Sequence, residues 1–166
     1  NAERFYEGFA AVQLNNKCNF INTEGELLSN QWFDGVWDFS EGFAGIRLNG
    51  KWNYIDTEGQ IAFDQWFDNV WPFSEGFAQV YLNGKYNFIN TEGQIAFNQW
   101  FDGVWDFSEG VAEVILNGKR YNLDKEGNLT LKESRRIISP TITESQLRNI
   151  IKETVRRVLK EGKDAN

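Results

Sequence analysis

The chain has 166 residues, 41% hydrophobic and 16% aromatic, with a formal net charge of −7, which is the size of one ordinary domain or a small domain plus an appendage. It has no histidine and a single cysteine, Cys18, which excludes Ser-His, Cys-His and His-metal chemistry and any internal disulfide framework. No run is long enough to cross a bilayer as a helix and none opens like a signal peptide; the lack of Met implies a piece of a longer protein or a lost leader.

Charge divides the chain. Residues 1–131 hold 8 basic and 19 acidic side chains, whereas residues 132–166 hold 9 and 5. The acidic body argues against nucleic acid, whose phosphates it would repel. The basic tail suits an anionic surface or the body of a second copy.

In chain order, the first recognisable element is Phe5-Tyr6-Glu7-Gly8, the end of a repeating unit. The Glu-Gly pair returns at Glu41-Gly42, Glu75-Gly76 and Glu109-Gly110, with a period of 34, and residues 41–74 match residues 75–108 at 25 positions. A period of this length marks a repeat architecture whose units bury their apolar faces on one another and together present a surface.

Within the third copy the reading is a strand over 77–82, a turn at Asn83-Gly84, a strand over 85–90, the turn Thr91-Glu92-Gly93-Gln94, and a third strand over 95–101. Asp102-Gly103 then reads as a second hairpin turn into 104–107, with Asn69 replacing Gly35 and Gly103 as a residue tolerant of positive φ. Alternation places Ala10, Val12, Leu14 and their equivalents Ala44, Ile46, Leu48, Ala78, Val80, Leu82, Ala112, Val114, Leu116 on the core side. The opposite side varies: Ala11, Gly45, Gln79, Glu113 and Gln13, Arg47, Tyr81, Ile115, which reads as solvent face or binding face.

The segment Lys51-Trp52-Asn53-Tyr54-Ile55-Asp56, preceded by Phe39-Ser40-Glu41-Gly42-Phe43-Ala44 and followed by Glu58-Gly59, resembles the WG (KWG) repeat family of bacterial proteins. The resemblance covers about residues 5–131 and implies a β-rich interaction or binding module without common catalytic residues. Two departures stand out. The family's Gly after Trp is Asn19, Asn53 and Asn87 here, which still serves if that position needs positive φ. The Trp itself survives only as Trp52, becoming Cys18, Tyr86 and Arg120. On this reading residues 1–131 form the repeat domain, with units near 7–40, 41–74, 75–108 and a partial 109–131. The expected fold is mainly β: an open β-solenoid of short antiparallel hairpins, with a small closed propeller-like ring as the alternative suggested by the complementary phase of the two ends.

The carboxylates recur identically around turns, which argues for structural duty over paired acid–base work, and Asp34, Asp68 and Asp102 fit their turns without calcium. Cys18 reads as a small filler where other copies carry Trp or Tyr. The periodic indoles are either core between repeats or a row of aromatic platforms for sugar or peptide. The ligand-binding candidates are therefore Trp37, Arg47, Trp52, Trp71, Tyr81, Tyr86 and Trp105.

Past a linker over 132–142 the pattern changes to a helix over 143–162, capped by Thr143 with Gln146 and stopped at Gly162, similar to short terminal helices of gut bacterial and phage proteins. Leu147, Ile150, Ile151, Val155, Val158 and Leu159 share one face. A lone helix of this length needs a partner for that face: the β body, another copy, another protein or a membrane surface. The expectation is a non-enzymatic β-repeat module with no cofactor and no metal, attached by its C-terminal helix to a protein partner or to itself. A lectin-like module using the repeated Trp residues is the rival, and the setting expected is bacterial cell surface, periplasm or virion.

Overall fold

The structure, a computed structural model, describes residues 4–132 and 144–161, and the chain divides into two units, Asn1–Lys132 and Glu133–Asn166. The first unit is built from β1 (Ala10–Leu14), β2 (Lys17–Ile21), β3 (Gly35–Val36), β4 (Phe43–Leu48), β5 (Lys51–Asp56), β6 (Asn69–Val70), β7 (Phe77–Leu82), β8 (Lys85–Asn90), β9 (Gly103–Val104), β10 (Val111–Leu116), β11 (Lys119–Asp124) and β12 (Leu129–Leu131). They form a two-stranded hairpin β1-β2, three-stranded sheets β3-β4-β5 and β6-β7-β8, and a four-stranded sheet β9-β10-β11-β12, every pairing antiparallel. Among the described residues no strand pairing joins the first hairpin to the last sheet.

The hairpin turns follow from backbone chemistry. Asn49-Gly50, Asn83-Gly84 and Asn117-Gly118 all have positive φ, as a tight two-residue turn between twisted strands requires. Glu7, Glu41, Glu75 and Glu109 also have φ between 49° and 54°, which is uncommon for a residue with a long side chain. A ladder of carboxylates offsets that strain. The Glu41 and Gly42 amides donate to the two carboxylate oxygens of Glu7 at 2.8 Å each, those of Glu75 and Gly76 to Glu41, and those of Glu109 and Gly110 to Glu75. Each of the last three Glu-Gly turns is thus held by the turn one repeat earlier, which explains the constant spacing within the chain.

Two sequence expectations are corrected. Gly35, Asn69 and Gly103 are not turn residues with positive φ; they start β3, β6 and β9 and pair with Arg47, Tyr81 and Ile115. The preceding Asp is what reads like a turn signal: Asp34, Asp68 and Asp102 each form an ion pair with Lys17, Lys51 and Lys85 of the previous hairpin. The third strand expected over 95–101 is reduced to isolated bridges at Ile95 and Phe101, because this segment leaves Ile89 and returns to Tyr86 while crossing to the next sheet.

Each inner sheet buries both faces. Its front face, Ala44, Ile46 and Ile55 in the second repeat, packs on Ala11, Phe20, Phe33 and Phe39 from the preceding repeat. Its back face, led by Tyr54 with Phe43 and Trp52 beside it, packs on Phe63, Phe67, Val70 and Phe73, later in the same repeat, and on Ala78, Val80 and Ile89 of the next. The third core repeats this with Phe88, Phe77 and Tyr86 against Val104, Ala112, Val114 and Leu123. Face-to-face packing of sheets through aromatic side chains therefore supplies the cohesion along the array. The expected core side holds in repeats two to four, whereas Val12 is only half-buried and Leu14 is exposed, since β1 has one partner strand among the described residues.

Asn19, Asn53 and Asn87 are fully buried and have negative φ, so they do not act as left-handed substitutes for glycine. Each amide instead reaches into the crossing segment: Asn53 Nδ2 donates to the Phe63 carbonyl at 2.7 Å, Asn87 Nδ2 to that of Phe97 at 2.7 Å, and Asn19 Nδ2 to that of Ser29 at 2.7 Å. Their side-chain oxygens accept from the next residue's amide. These bonds satisfy groups that would otherwise be buried unpaired.

The second unit contains one helix, α1 (Glu144–Glu161), in which Leu147, Ile151 and Val155 are exposed along one stripe and Arg148 pairs with Glu144 at 2.7 Å. Thr143, Gly162 and the linker from residue 133 lie outside the described residues, as do the side chains of Ile150, Val158 and Leu159. Among the described residues, no helix is long and apolar enough to cross a membrane.

Candidate interaction face

The positions that differ most between repeats lie on the back faces of the sheets. In the second repeat Arg47 lies opposite Trp52 across β4-β5, and Trp37, whose amide donates to the Gly45 carbonyl, folds its indole over Gly45. A Cβ at Gly45 would sit 2.6 Å from Trp37 Cδ1, so only glycine permits this fold-over. The Trp37 and Trp52 rings stack at 5.6 Å with an interplanar angle of 14°. Arg47 is exposed beside them.

The third repeat rebuilds the same spot with other chemistry. Trp71 meets Tyr86 at 5.9 Å and Tyr81 meets Tyr86 at 4.7 Å, both tilted. Gln79, at the Gly45 position, sends its amide across to the Asp106 carboxylate, which follows β9 of the next sheet, at 2.6 Å. In the fourth repeat a guanidinium replaces the second ring: Arg120 lies 5.5 Å over Trp105 and pairs with Glu113 at 2.6 Å, and Lys132 joins the same carboxylate. The seven candidates thus fall into one cluster per sheet: Trp37 with Arg47 and Trp52, Trp71 with Tyr81 and Tyr86, and Trp105 with Arg120. No single pocket gathers them.

Exposure sorts the indoles. Trp37 and Trp105 are 43% and 47% exposed, Trp71, Trp52, Trp32 and Trp100 are half-buried, and Trp66 is half-buried against the first core. The ring faces most open to a ligand are therefore already in use by a neighbour in the same sheet.

The carboxyls with lowered pKa belong to the ion pairs and amide contacts of the framework. The Lys17, Lys51 and Lys85 ammonium groups hold the Asp34, Asp68 and Asp102 carboxyls below the usual range, with the Asn49 and Asn83 amides adding to the effect at the first two. The Gly110 amide and then Lys125 do the same for Glu75, and Lys132 and then Arg120 for Glu113. Burial pushes the Tyr54 phenol up, and its hydroxyl donates to the Trp71 carbonyl at 2.7 Å. Among the described residues no group of three or more His, Cys, Asp or Glu is arranged to hold a metal ion. Sequence reasoning placed Arg120 in the Trp52 series and Glu113 on the variable side with Gly45, but did not count either among the ligand-binding candidates.

The description "WG containing repeat" matches residues 1–18, 20–52, 54–86 and 88–119. No curated protein matches the chain. Among solved structures, Kluyveromyces lactis Hsv2 with loop 6CD replaced by a Gly-Ser linker aligns at a TM-score of 0.50 and 10% identity, over 77% of this chain and 50% of that one. The same protein with its complete loop 6CD gives 0.48 and 10%, over 78% and 47%. The computationally designed Ika4 protein gives 0.45 and 13%, over 77% and 86%. The chain spans about half the length of the Hsv2 structures. At such identity the likeness is one of fold, a mainly β one.

Proposed function

The chain belongs to the WG-repeat family, and from that premise we propose that it is a non-enzymatic interaction module, whose β array presents a recognition surface while α1 fixes it to a protein partner or to another copy. The observation that carries this reading is a division of labour within the repeat. The carboxylate ladder, the Lys–Asp pairs and the buried Asn recur from unit to unit, whereas Arg47, Tyr81 and Ile115, and Trp52, Tyr86 and Arg120, differ at equivalent positions. A scaffold that holds its framework constant and varies its outer residues suits recognition of a protein surface. The exposed Leu147, Ile151 and Val155 supply the attachment stripe.

The test is light scattering on the intact chain, on a form lacking residues 141–166, and on Leu147→Ser/Ile151→Ser/Val155→Ser. The expected result is a larger mass, or a retained partner, for the intact chain only. Equal mass and equal partner binding in all three removes the attachment role. A lectin-like use of Trp37 and Trp105 draws on their exposure, but Trp52 and Arg120 already cover one side of those rings. Binding on a glycan array that disappears with Trp105→Ala would favour it.

A further inference from the structure

The two ends of the hairpins treat their charges differently. At the Asn-Gly ends each Asp has a cation, Lys17 for Asp34, Lys51 for Asp68 and Lys85 for Asp102. The opposite ends carry the loops that follow β2, β5 and β8, since Phe43 pairs with Asp56 and Phe77 with Asn90. Successive loops there expose Glu24, Glu58 and Glu92, and three residues after each comes an aliphatic side chain, Leu27, Ile61 and Ile95. Leu27 and Ile61 are exposed and Ile95 is half-buried. Among the described residues no cation pairs with Glu58, Asp64 or Glu92. This end of the array thus repeats an acid and an aliphatic residue in every loop, with the acids left open.

Between the loops run grooves. One of about 330 Å³ has Ala62, Phe63, Asp64 and Gln65 of the crossing segment on one side and Glu92 and Gly93 of the next loop on the other. A second, of about 250 Å³, is built 34 residues later on Ala96, Phe97, Asn98 and Gln99 with Glu126 and Gly127. Phe63 and Phe97 are buried, so each groove has an apolar floor beneath a polar, mainly acidic rim. The helix α1 carries the complement. Leu147, Ile151 and Val155 form an exposed row at four-residue spacing. Lys152 and Arg156, each one residue after a member of that row, lie exposed beside it, and no acid among the described residues pairs with them.

We propose that α1 of one copy docks across this end of a second copy, its aliphatic row toward the groove floor and Lys152 and Arg156 toward Asp64 and Glu92. Charge selects the occupant. Residues 1–131 hold 8 basic and 19 acidic side chains and residues 132–166 hold 9 and 5, so the chain itself supplies the cationic partner that its array calls for. Helix and groove are different surfaces, so the contact is head-to-tail: a copy that gives its helix to one neighbour keeps its groove for the next. This rests on the attachment role given to α1 above and names the surface that α1 grips.

The test is a charge swap on the intact chain, read by sedimentation velocity. Asp64→Lys/Glu92→Lys makes the groove rim basic, and Lys152→Glu/Arg156→Glu makes the helix flank acidic. All four side chains are exposed, and circular dichroism in the near and far ultraviolet checks that array and helix persist. The unaltered chain is expected to associate as its concentration rises. Either variant alone is expected to associate about tenfold more weakly or less still, because like charges then face each other. An equimolar mixture of the two variants is expected to recover association, since each meets the opposite charge on the other. An unaltered chain that stays monomeric, a groove variant that associates like the parent, or a mixture that stays dispersed each overturns the site. A helix docked on its own array gives the first and last of these results. Association lost in Leu147→Ser/Ile151→Ser/Val155→Ser but kept in the groove variant removes this surface and leaves the attachment role standing.

Discussion

The two inner sheets and the fourth sheet share a plan but treat their back faces in opposite ways. Phe43, Gly45, Trp52 and Tyr54 in the second repeat become Phe77, Gln79, Tyr86 and Phe88 in the third, and then Val111, Glu113, Arg120 and Asn122 in the fourth. The first two sets are packed into a core by the following repeat. The last set is polar or trimmed, its Glu113 engaged by Arg120 and Lys132, and Val111 is 39% exposed. The comparison teaches that these four positions, not the shared framework, decide whether a repeat accepts another on its back. Repeat arrays need ends of this kind to stay soluble.

The strongest way to break the comparison is to cut an inner ring and its terminal counterpart in parallel. Tyr54 is fully buried, meets Phe63 and Phe73 edge-on at 5.6 and 5.1 Å, and anchors Trp71 through its hydroxyl. Tyr54→Ala is expected to lower unfolding free energy by about 3–5 kcal/mol in urea titration, as for other buried aromatics. Asn122→Ala, at the matching place on the fourth sheet, is expected to change it by less than about 0.5 kcal/mol. Equal losses would mean that the back faces of inner and last sheets carry the same load.

The buried Asn gives the next largest contrast. Asn53 ties the crossing segment at Phe63, whereas the fourth repeat, which has no onward crossing among the described residues, carries Tyr121 at that position and adds β12 against β11. Asn53→Ala strands the Phe63 carbonyl and the Tyr54 amide and is expected to cost about 1–3 kcal/mol for each group left unpaired. Tyr121→Asn is expected to bring no gain, since no crossing carbonyl waits for it. Denaturation midpoints of the two variants, compared with the unaltered chain, decide the matter.

How much of this was legible in the sequence varies with the range of the interaction. The Asn-Gly hairpins and the Ala-Ile-Leu side were legible because local backbone preference and period-two alternation both act within a few residues. The role of Asp34, Asp68 and Asp102 was misread, since an Asp before Gly or Asn signals a turn locally, while here it answers a lysine 17 residues earlier. The Glu-Gly marker was visible, but not its reason: a positive φ at Glu41 is unexpected until the Glu7 carboxylate is placed against its amide, 34 residues away. Gly45 gave no sign that an indole lies on it. The candidate residues were found as positions of disagreement between copies, yet their grouping by sheet depended on β3, β6 and β9, each only two residues long.

Acid tests the framework that all repeats share, with a smaller expected effect. The carboxyls of Asp34, Asp68, Asp102 and Glu75 titrate below their ordinary range in the folded chain, through the lysine and amide contacts already described. The unfolded chain therefore takes up more protons than the folded one as pH falls from about 4–5. Their contribution is complete above that range and is lost as pH drops toward the depressed values. Because the groups are at the surface, the effect shrinks with salt. Asp68→Asn is expected to flatten the fall of the denaturation midpoint between about pH 5 and 3, while leaving the midpoint near neutral pH only slightly lower. An unchanged acid slope would show that Lys51 and Asp68 do not hold the inner repeats together.

The finest test rebuilds the end of the array instead of weakening its middle. If Val111, Glu113 and Asn122 stop the fourth sheet from accepting a neighbour, then Val111→Phe/Glu113→Gly/Asn122→Phe should turn it toward the inner type. The fold itself should hardly notice, since Val111 is exposed, Glu113 is half-buried, and the front face with Ala112, Val114 and Leu123 is untouched. Removing Glu113 releases Arg120 and Lys132, and the new rings form an apolar face of the kind that Phe77 and Phe88 present to the next repeat. The expected outcome is a monomer-range melting curve at low concentration together with concentration-dependent association in sedimentation velocity. The single change Asn122→Phe should give a weaker version of it. A triple variant that stays as dispersed as the parent at every concentration would place the cap elsewhere, in β12, which already occupies the outer edge of β11 where Phe67 and Phe101 bridge the earlier sheets.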